Sequence, residues 1–125
     1  MAKVLLVDDD ADLQEMNRLV LGHRGHQVTL AYTAAEARAA LADAQPDIVV
    51  LDVMMESNTA GLELAAEIHD RFPAIPVIML TGIRGKIDPP QVVEMGVSKV
   101  PVMKFLDKPV PSERLADEIE GFVGR

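Results

Sequence analysis

Cysteine is absent from this chain of 125 residues, so a disulfide framework, a thiolate metal site and a cysteine nucleophile are excluded together. Tryptophan is absent as well, and one tyrosine and three phenylalanines are all the aromatic material. That is too little for the stacking platforms that hold single-stranded nucleic acid, and it makes an aliphatic core the expectation. Long apolar runs are missing too. The longest, VLLV from Val4, IVVL from Ile48 and PVIML from Pro76, fall far short of the roughly 20 residues a membrane-spanning helix needs, so no transmembrane helix and no membrane partner are expected. Lys3 is followed by only four apolar residues before three aspartates, without the longer apolar stretch and cleavage site of a secretory signal. A cytoplasmic protein is expected. Positive charge is also short: 12 Lys and Arg face 20 Asp and Glu, a net charge of −8. Phosphate backbones are gripped by clustered Lys and Arg, so direct nucleic-acid binding is not expected.

What is present is an alternation of short aliphatic runs and longer amphipathic ones. Val4 to Val7, Val28 to Ala31, Ile48 to Leu51, Val77 to Leu80 and Val102 to Leu106 read as strands. Most are apolar throughout, the mark of strands covered on both faces. Between and after them, Asp12 to His23, Ala34 to Ala44, Gly61 to Arg71 and Glu113 to Val123 read as helices. Thr33 and Glu36 have capping-box spacing, Ser112 is an N-cap candidate for the last helix, and Gly22 and Gly25 stand where the first should stop. On the third helix Leu62, Leu64, Ala65 and Ile68, with Phe72, form an apolar stripe for packing on a sheet. The length suits one domain over residues 1–125. Alternating strands and helices imply an α/β doubly wound parallel sheet with helices on both faces. The stretch from Gly82 to Pro101 carries Gly85, Pro89, Pro90, Gly96 and Pro101, so the helix expected between the fourth and fifth strands is atypical and brief.

In such a sheet the residues just past the carboxyl ends of the strands converge on one crevice. Here they are Asp8, Asp9 and Asp10 after the first strand, Asp52 after the third, Thr81 after the fourth, and Lys108 and Pro109 after the fifth. Carboxylates gathered without a counterion repel. An oxygen-only donor set favours a hard divalent ion, Mg²⁺ or Mn²⁺, and Mg²⁺ brings a phosphate partner with it. A lysine, a hydroxyl and such an ion together suit phosphoryl transfer, and an Asp carboxylate can take the phosphoryl group covalently. Asp52, alone at its strand end, is the candidate nucleophile.

The segments VLLVDDD, IVVLDVMM, VIMLTG and FLDKPV stand in the order and approximate spacing of response-regulator receiver domains, and the resemblance spans the whole chain. It implies a five-stranded, flavodoxin-like sheet of order 2-1-3-4-5. It further implies that Asp8 and Asp9 are the metal-binding acidic pair, Asp52 the phosphoacceptor, and Met54 the residue whose backbone carbonyl completes the metal shell. Thr81 resembles the switch hydroxyl, Phe105 the switch aromatic, and Lys108 the lysine that contacts the phosphoryl group. The donor implied is a phosphohistidine on a sensor histidine kinase or a histidine phosphotransfer protein, and the output is binding of a downstream protein. Such a domain is not an enzyme beyond its own phosphorylation and dephosphorylation.

The chain departs from the pattern in three places. VMMESNTA after Asp52 lacks the usual proline and runs one residue long, and the Thr81 to Lys108 interval is several residues longer than usual. Met54 and Ile83 are apolar where receivers often carry groups that position water, so slow self-dephosphorylation is expected. Asp10 and Asp12 read as the acidic first turn of a helix. His23, His26 and His69 read as surface residues without a role, and Met54, Met55, Met79, Met95 and Met103 as core fillers. Three rivals remain. A haloacid-dehalogenase-type phosphatase shares an Asp nucleophile and Mg²⁺, but it expects Thr or Val at the position of Asp12 and normally a cap insertion. A flavodoxin-like FMN carrier needs phosphate-binding amides where this chain puts three anions. A degenerate receiver acting only as a binding module would keep every residue above. The sequence ends just after the last helix, which leaves a stand-alone domain and a piece of a larger regulator both open.

Overall fold

The aliphatic runs become the strands β1 (Lys3–Val7), β2 (Gln27–Ala31), β3 (Ile48–Asp52), β4 (Val77–Thr81) and β5 (Val102–Asp107) in a computed structural model that describes residues 2–52, 60–81, 102–107 and 110–123. They form one sheet of order β2-β1-β3-β4-β5, parallel at every pairing. Parallel neighbours need crossovers, and the amphipathic runs supply them as α1 (Ala11–His23), α2 (Ala34–Asp43) and α3 (Ala60–Arg71), with α4 (Ser112–Val123) after β5. The expected α/β doubly wound class, strand order and coverage of both faces are all present. The region 82–101, with its expected atypical helix, lies outside the described residues.

Burial follows position in the sheet. β3 is buried over its whole length and β1 from Val4 onward, whereas the edge strand β2 alternates. Successive side chains point to opposite faces, which divides the core in two. On one face Leu5, Val7, Val49, Leu51, Val77 and Met79 meet Ala37 and Leu41 of α2 and Leu64 and Ile68 of α3. On the other, Leu6, Val50, Ile78 and Leu80 meet Leu21 of α1 and Leu115 and Ile119 of α4. Each such leucine or isoleucine contributes about 1.5–3 kcal/mol by leaving water.

Local chemistry sets the helix ends. Thr33 caps α2, its Oγ1 accepting from the Glu36 N–H at 3.1 Å, while the Glu36 carboxylate accepts from the Tyr32 N–H at 2.9 Å. The expected box thus closes one residue upstream of the cap. α1 stops at Gly25, whose φ of 92° only glycine adopts without strain. The His26 N–H donates to the Leu21 carbonyl at 3.1 Å and the Gly25 N–H to the Gly22 carbonyl at 3.0 Å, the paired bonds of a Schellman ending. Ser112 departs from its expected role. It lies inside α4, Pro111 accepts the first helical bond from the Leu115 N–H at 2.9 Å, and the Ser112 hydroxyl instead donates to Asn17 Oδ1 on α1 at 2.6 Å. A buried asparagine is a better use of that hydroxyl than a helix end already open to water.

Candidate functional site

β1 pairs with β2 on one side and β3 on the other, so the chain leaves β1 in one direction and β3 in the other. The crevice opens where those departures diverge. Val7 of β1 lies opposite Leu51 of β3, so the next residues, Asp8 and Asp52, emerge side by side. One carboxylate oxygen from each of Asp8, Asp9 and Asp52 falls within 4.8 Å of the others. Asp8 and Asp52 are each 4% exposed, and Asp9 is open to solvent.

The turn after β1 is built from its own aspartates. The Asp10 N–H donates to Asp8 Oδ1 at 3.0 Å, and Asp10 Oδ1 in turn accepts from the Leu13 N–H at 3.1 Å, capping α1. Asp10, expected with Asp12 in the acidic first turn, is instead the cap just before it, and Asp12 sits in that first turn as expected. The Asp8 N–H donates to the Ala31 carbonyl at 3.1 Å, extending the β1–β2 ladder one bond past the strand end.

Among the described residues, this is the cluster of potential metal ligands. Its donors are all carboxylate oxygens, two buried and one facing solvent. Like charges this close repel, and a hard divalent cation taking oxygen ligands and keeping several waters fits both the donor set and the open side at Asp9.

Of the other residues singled out, Thr81 is the last residue of β4 and lies opposite Asp107, one step beyond the Asp52–Leu80 pair. Phe105 is in β5 opposite Met79. Met54, Ile83, Lys108 and Pro109 lie outside the described residues. Met79 is a buried core residue, as expected; Met55 and Met95 fall outside the described residues, and Met103 lies in β5.

His26 is a correction. It is not at the surface: its side chain is 1% exposed, Nδ1 accepts from the Ala2 N–H at 3.1 Å, and Nε2 lies 3.0 Å from Glu120 Oε2. An imidazole carries an acceptor and a donor on one rigid ring, so it can join a backbone N–H to a carboxylate inside the core. Arg24 beside it reaches Glu113 at 2.6 Å, Asp117 at 2.8 Å and Glu120 at 3.2 Å. These bonds, Asp117's first, hold the guanidinium's pKa above the ordinary arginine value. His23 is exposed and His69 partly buried.

Sequence reasoning also passed over Gln14 and Asn17, which are 1% and 4% exposed. Gln14 Nε2 donates to the Leu6 carbonyl at 2.9 Å and to the Ala31 carbonyl at 3.0 Å. The available signal was position. Gln14, Asn17 and Leu21 follow one another at helical spacing, so a polar pair shares the inward face with a fully buried leucine.

Comparison with known proteins bears on this geometry. The family model of the response regulator receiver domain matches residues 4–120. The transcriptional regulatory protein GlrR of Escherichia coli is 34% identical over 119 residues, covering 95% of this chain and 26% of that protein. GltR of Pseudomonas aeruginosa, also a transcriptional regulatory protein, is 31% identical over 124 residues, covering 98% of this chain and 49% of its own length. The chain thus spans about a quarter to a half of the curated relatives it matches. Among solved structures, the receiver domain of NtrX from Brucella abortus superimposes with a TM-score of 0.80 at 29% identity, covering 96% of this chain and 97% of that one.

Proposed function

This chain belongs to the response regulator receiver domain family, and from that premise we propose that it is a phosphorylatable switch whose acceptor is Asp52. The observation that carries the reading is the convergence of Asp8, Asp9 and Asp52 within 4.8 Å at the point where β1 and β3 part. Three carboxylate oxygens at a strand-end crevice are the donor set that a divalent ion in a phosphoryl-transfer site uses.

Asp8, Asp9, Asp52 and the backbone carbonyl of Met54 would hold the ion, Mg²⁺ with Mn²⁺ as a substitute. When bound, it supplies positive charge that lets phosphoryl oxygens approach three carboxylates. The remaining chemistry belongs to the chain. A carboxylate oxygen of Asp52 attacks the phosphorus of a phosphohistidine, an oxygen–phosphorus bond forms, and the phosphorus–nitrogen bond breaks. The imidazole leaves with the bonding pair and takes a proton. The donor is a sensor histidine kinase or a histidine phosphotransfer protein. Lys108 contributes an ammonium and Thr81 a hydroxyl to the transferred group's oxygens.

The output is a shift of population. Thr81 turns toward the new oxygens, Phe105 follows, and the altered surface binds a downstream protein. Reversal needs water to attack the phosphorus and expel the Asp52 carboxylate. With Met54 and Ile83 apolar, neither side chain can hydrogen-bond that water, and the acyl phosphate is long-lived. The chain therefore acts as a signalling component of the cytoplasm and turns over no substrate other than its own phosphoryl group.

The test is intact mass after incubation with Mg²⁺ and acetyl phosphate, for the wild type and Asp52→Asn. A gain of one phosphoryl group that needs Mg²⁺ and is lost in the variant is expected. No gain in either would make the chain a phosphorylation-independent binding module, and continuous release of inorganic phosphate would make it a phosphatase.

A further inference from the structure

A helix packed on a sheet normally turns apolar side chains inward, yet α1 buries an amide at position 14, 1% exposed, on the same face as Leu21. Burying an amide costs free energy unless its hydrogens find acceptors. The Gln14 amide finds two from one nitrogen: the Leu6 carbonyl of β1 at 2.9 Å and the Ala31 carbonyl, the last of β2, at 3.0 Å. A methionine would fill the space without needing either bond, so what glutamine adds is geometry.

That geometry closes a circuit around the acidic residues. From Leu6 the chain runs through Val7 to Asp8, whose N–H shares the Ala31 carbonyl with Gln14. Asp8 Oδ1 holds the Asp10 N–H, and the Asp10 carbonyl accepts from the Gln14 N–H at 3.0 Å in the first turn of α1. The Gln14 side chain then returns to β1 and β2. Asp8 is a member of this ring of bonds and Asp9 is the residue its Asp8–Asp10 bond spans, and β1 is itself in register with the strand that carries Asp52.

We propose that Gln14 is the positioning residue of the acidic site: by tying the first turn of α1 to the ends of β1 and β2, it sets Asp8 and Asp9 at the distance from Asp52 that a divalent ion requires. The proposal rests on the reading of Asp8, Asp9 and Asp52 as a cation site. A small, strictly coordinated ion tolerates little displacement of its ligands. Groups that orient ligands typically matter about 10- to 100-fold in metal affinity when removed.

The experiment is Mn²⁺ binding, read by the electron spin resonance of the free ion, for the wild type, Gln14→Met and Leu21→Ala, alongside their unfolding midpoints. Leu21 is fully buried near the other end of the same helix and contributes neither a carboxylate to the acidic cluster nor a bond to the Gln14 circuit. The expected result is a dissociation constant raised about tenfold in Gln14→Met and unchanged in Leu21→Ala, although the latter is the less stable protein. Equal affinity in Gln14→Met and wild type overturns the proposal. So does an equal loss in Leu21→Ala, which would trace the effect to general loosening. Absence of Mn²⁺ binding in the wild type itself removes the cation-site reading and this proposal with it. Should Gln14→Met fail to fold, the wild-type Gln14 side-chain amide decides the matter by nuclear magnetic resonance. Slow hydrogen exchange and a shift on adding Mg²⁺ are expected, and free-glutamine exchange with no response to Mg²⁺ overturns the proposal.

Discussion

The two ends of the sheet handle charge in opposite ways. At the carboxyl ends of the strands, Asp8, Asp9 and Asp52 bring three charges of one sign within 4.8 Å. Around the turn after α1 the acids are shared out among bases: Glu113 takes one terminal nitrogen of Arg24, Asp117 and Glu120 share the other, and Glu120 also meets His26. The second arrangement completes itself within the chain, and cohesion is a sufficient account of it. It fastens α4 and the start of β1, through the Ala2 N–H, to the turn after α1. The first gathers carboxylate oxygens from two strand ends at one crevice, a donor set that suits a hard divalent cation.

Breaking each end separately should separate ligand binding from stability. The largest effect is expected from Asp8→Asn. Saturating Mg²⁺ should stabilise the wild type, by about 2.7 kcal/mol when present at a hundredfold excess over its dissociation constant. The variant should lose most of that rise, as read by urea unfolding with and without the ion. A Mg²⁺-dependent rise of the same size in the variant would take Asp8 out of the site.

A smaller and opposite pattern is expected from His26→Leu. It removes the acceptor of the Ala2 N–H and one partner of Glu120 in a buried setting, which should lower stability by about 2 kcal/mol. Mn²⁺ affinity should not change. A variant as stable as the wild type would mean that the histidine merely fills space.

The smallest effect belongs to a surface pair lying between the two ends. Arg18 Nε donates to Glu15 Oε2 at 3.0 Å, and this bond holds the Glu15 carboxyl below its ordinary pKa. A depressed carboxyl contributes stability at neutral pH and loses it as pH falls through the folded-state value. Both side chains are about half exposed, at 51% and 43%, so Glu15→Gln should leave the neutral-pH unfolding midpoint nearly unchanged. A clear drop there would show that exposed pairs matter more in this domain than its two ends suggest.

How far the fold was legible depended on what each residue's neighbours in sequence could reveal. Ile48 to Leu51 is apolar without interruption and becomes the fully buried β3. Thr33 and Glu36 signal the start of α2 by spacing, and Gly25 stops α1 for the reason a glycine can. Asp8, Asp9 and Asp52 were legible because each is the first polar group after such a run, and a parallel sheet sends those positions to one edge. Gln14, Asn17 and His26 were not. Their residue types read as surface, and their acceptors and donors, Leu6, Ala31, Ser112, Ala2 and Glu120, are remote in sequence.

The sequence by itself therefore determined the alternation of strands and helices, the start of α2 and the stop of α1, and the strand-end candidates for phosphoryl chemistry. All of these follow from periodicity and from hydrogen bonds made within a few residues. Only the tertiary structure decided that three carboxylates share a space of 4.8 Å, that a glutamine stands behind them, and that a histidine is locked in the core. Burial and long-range partners depend on which strands lie side by side, and that is settled when the sheet assembles.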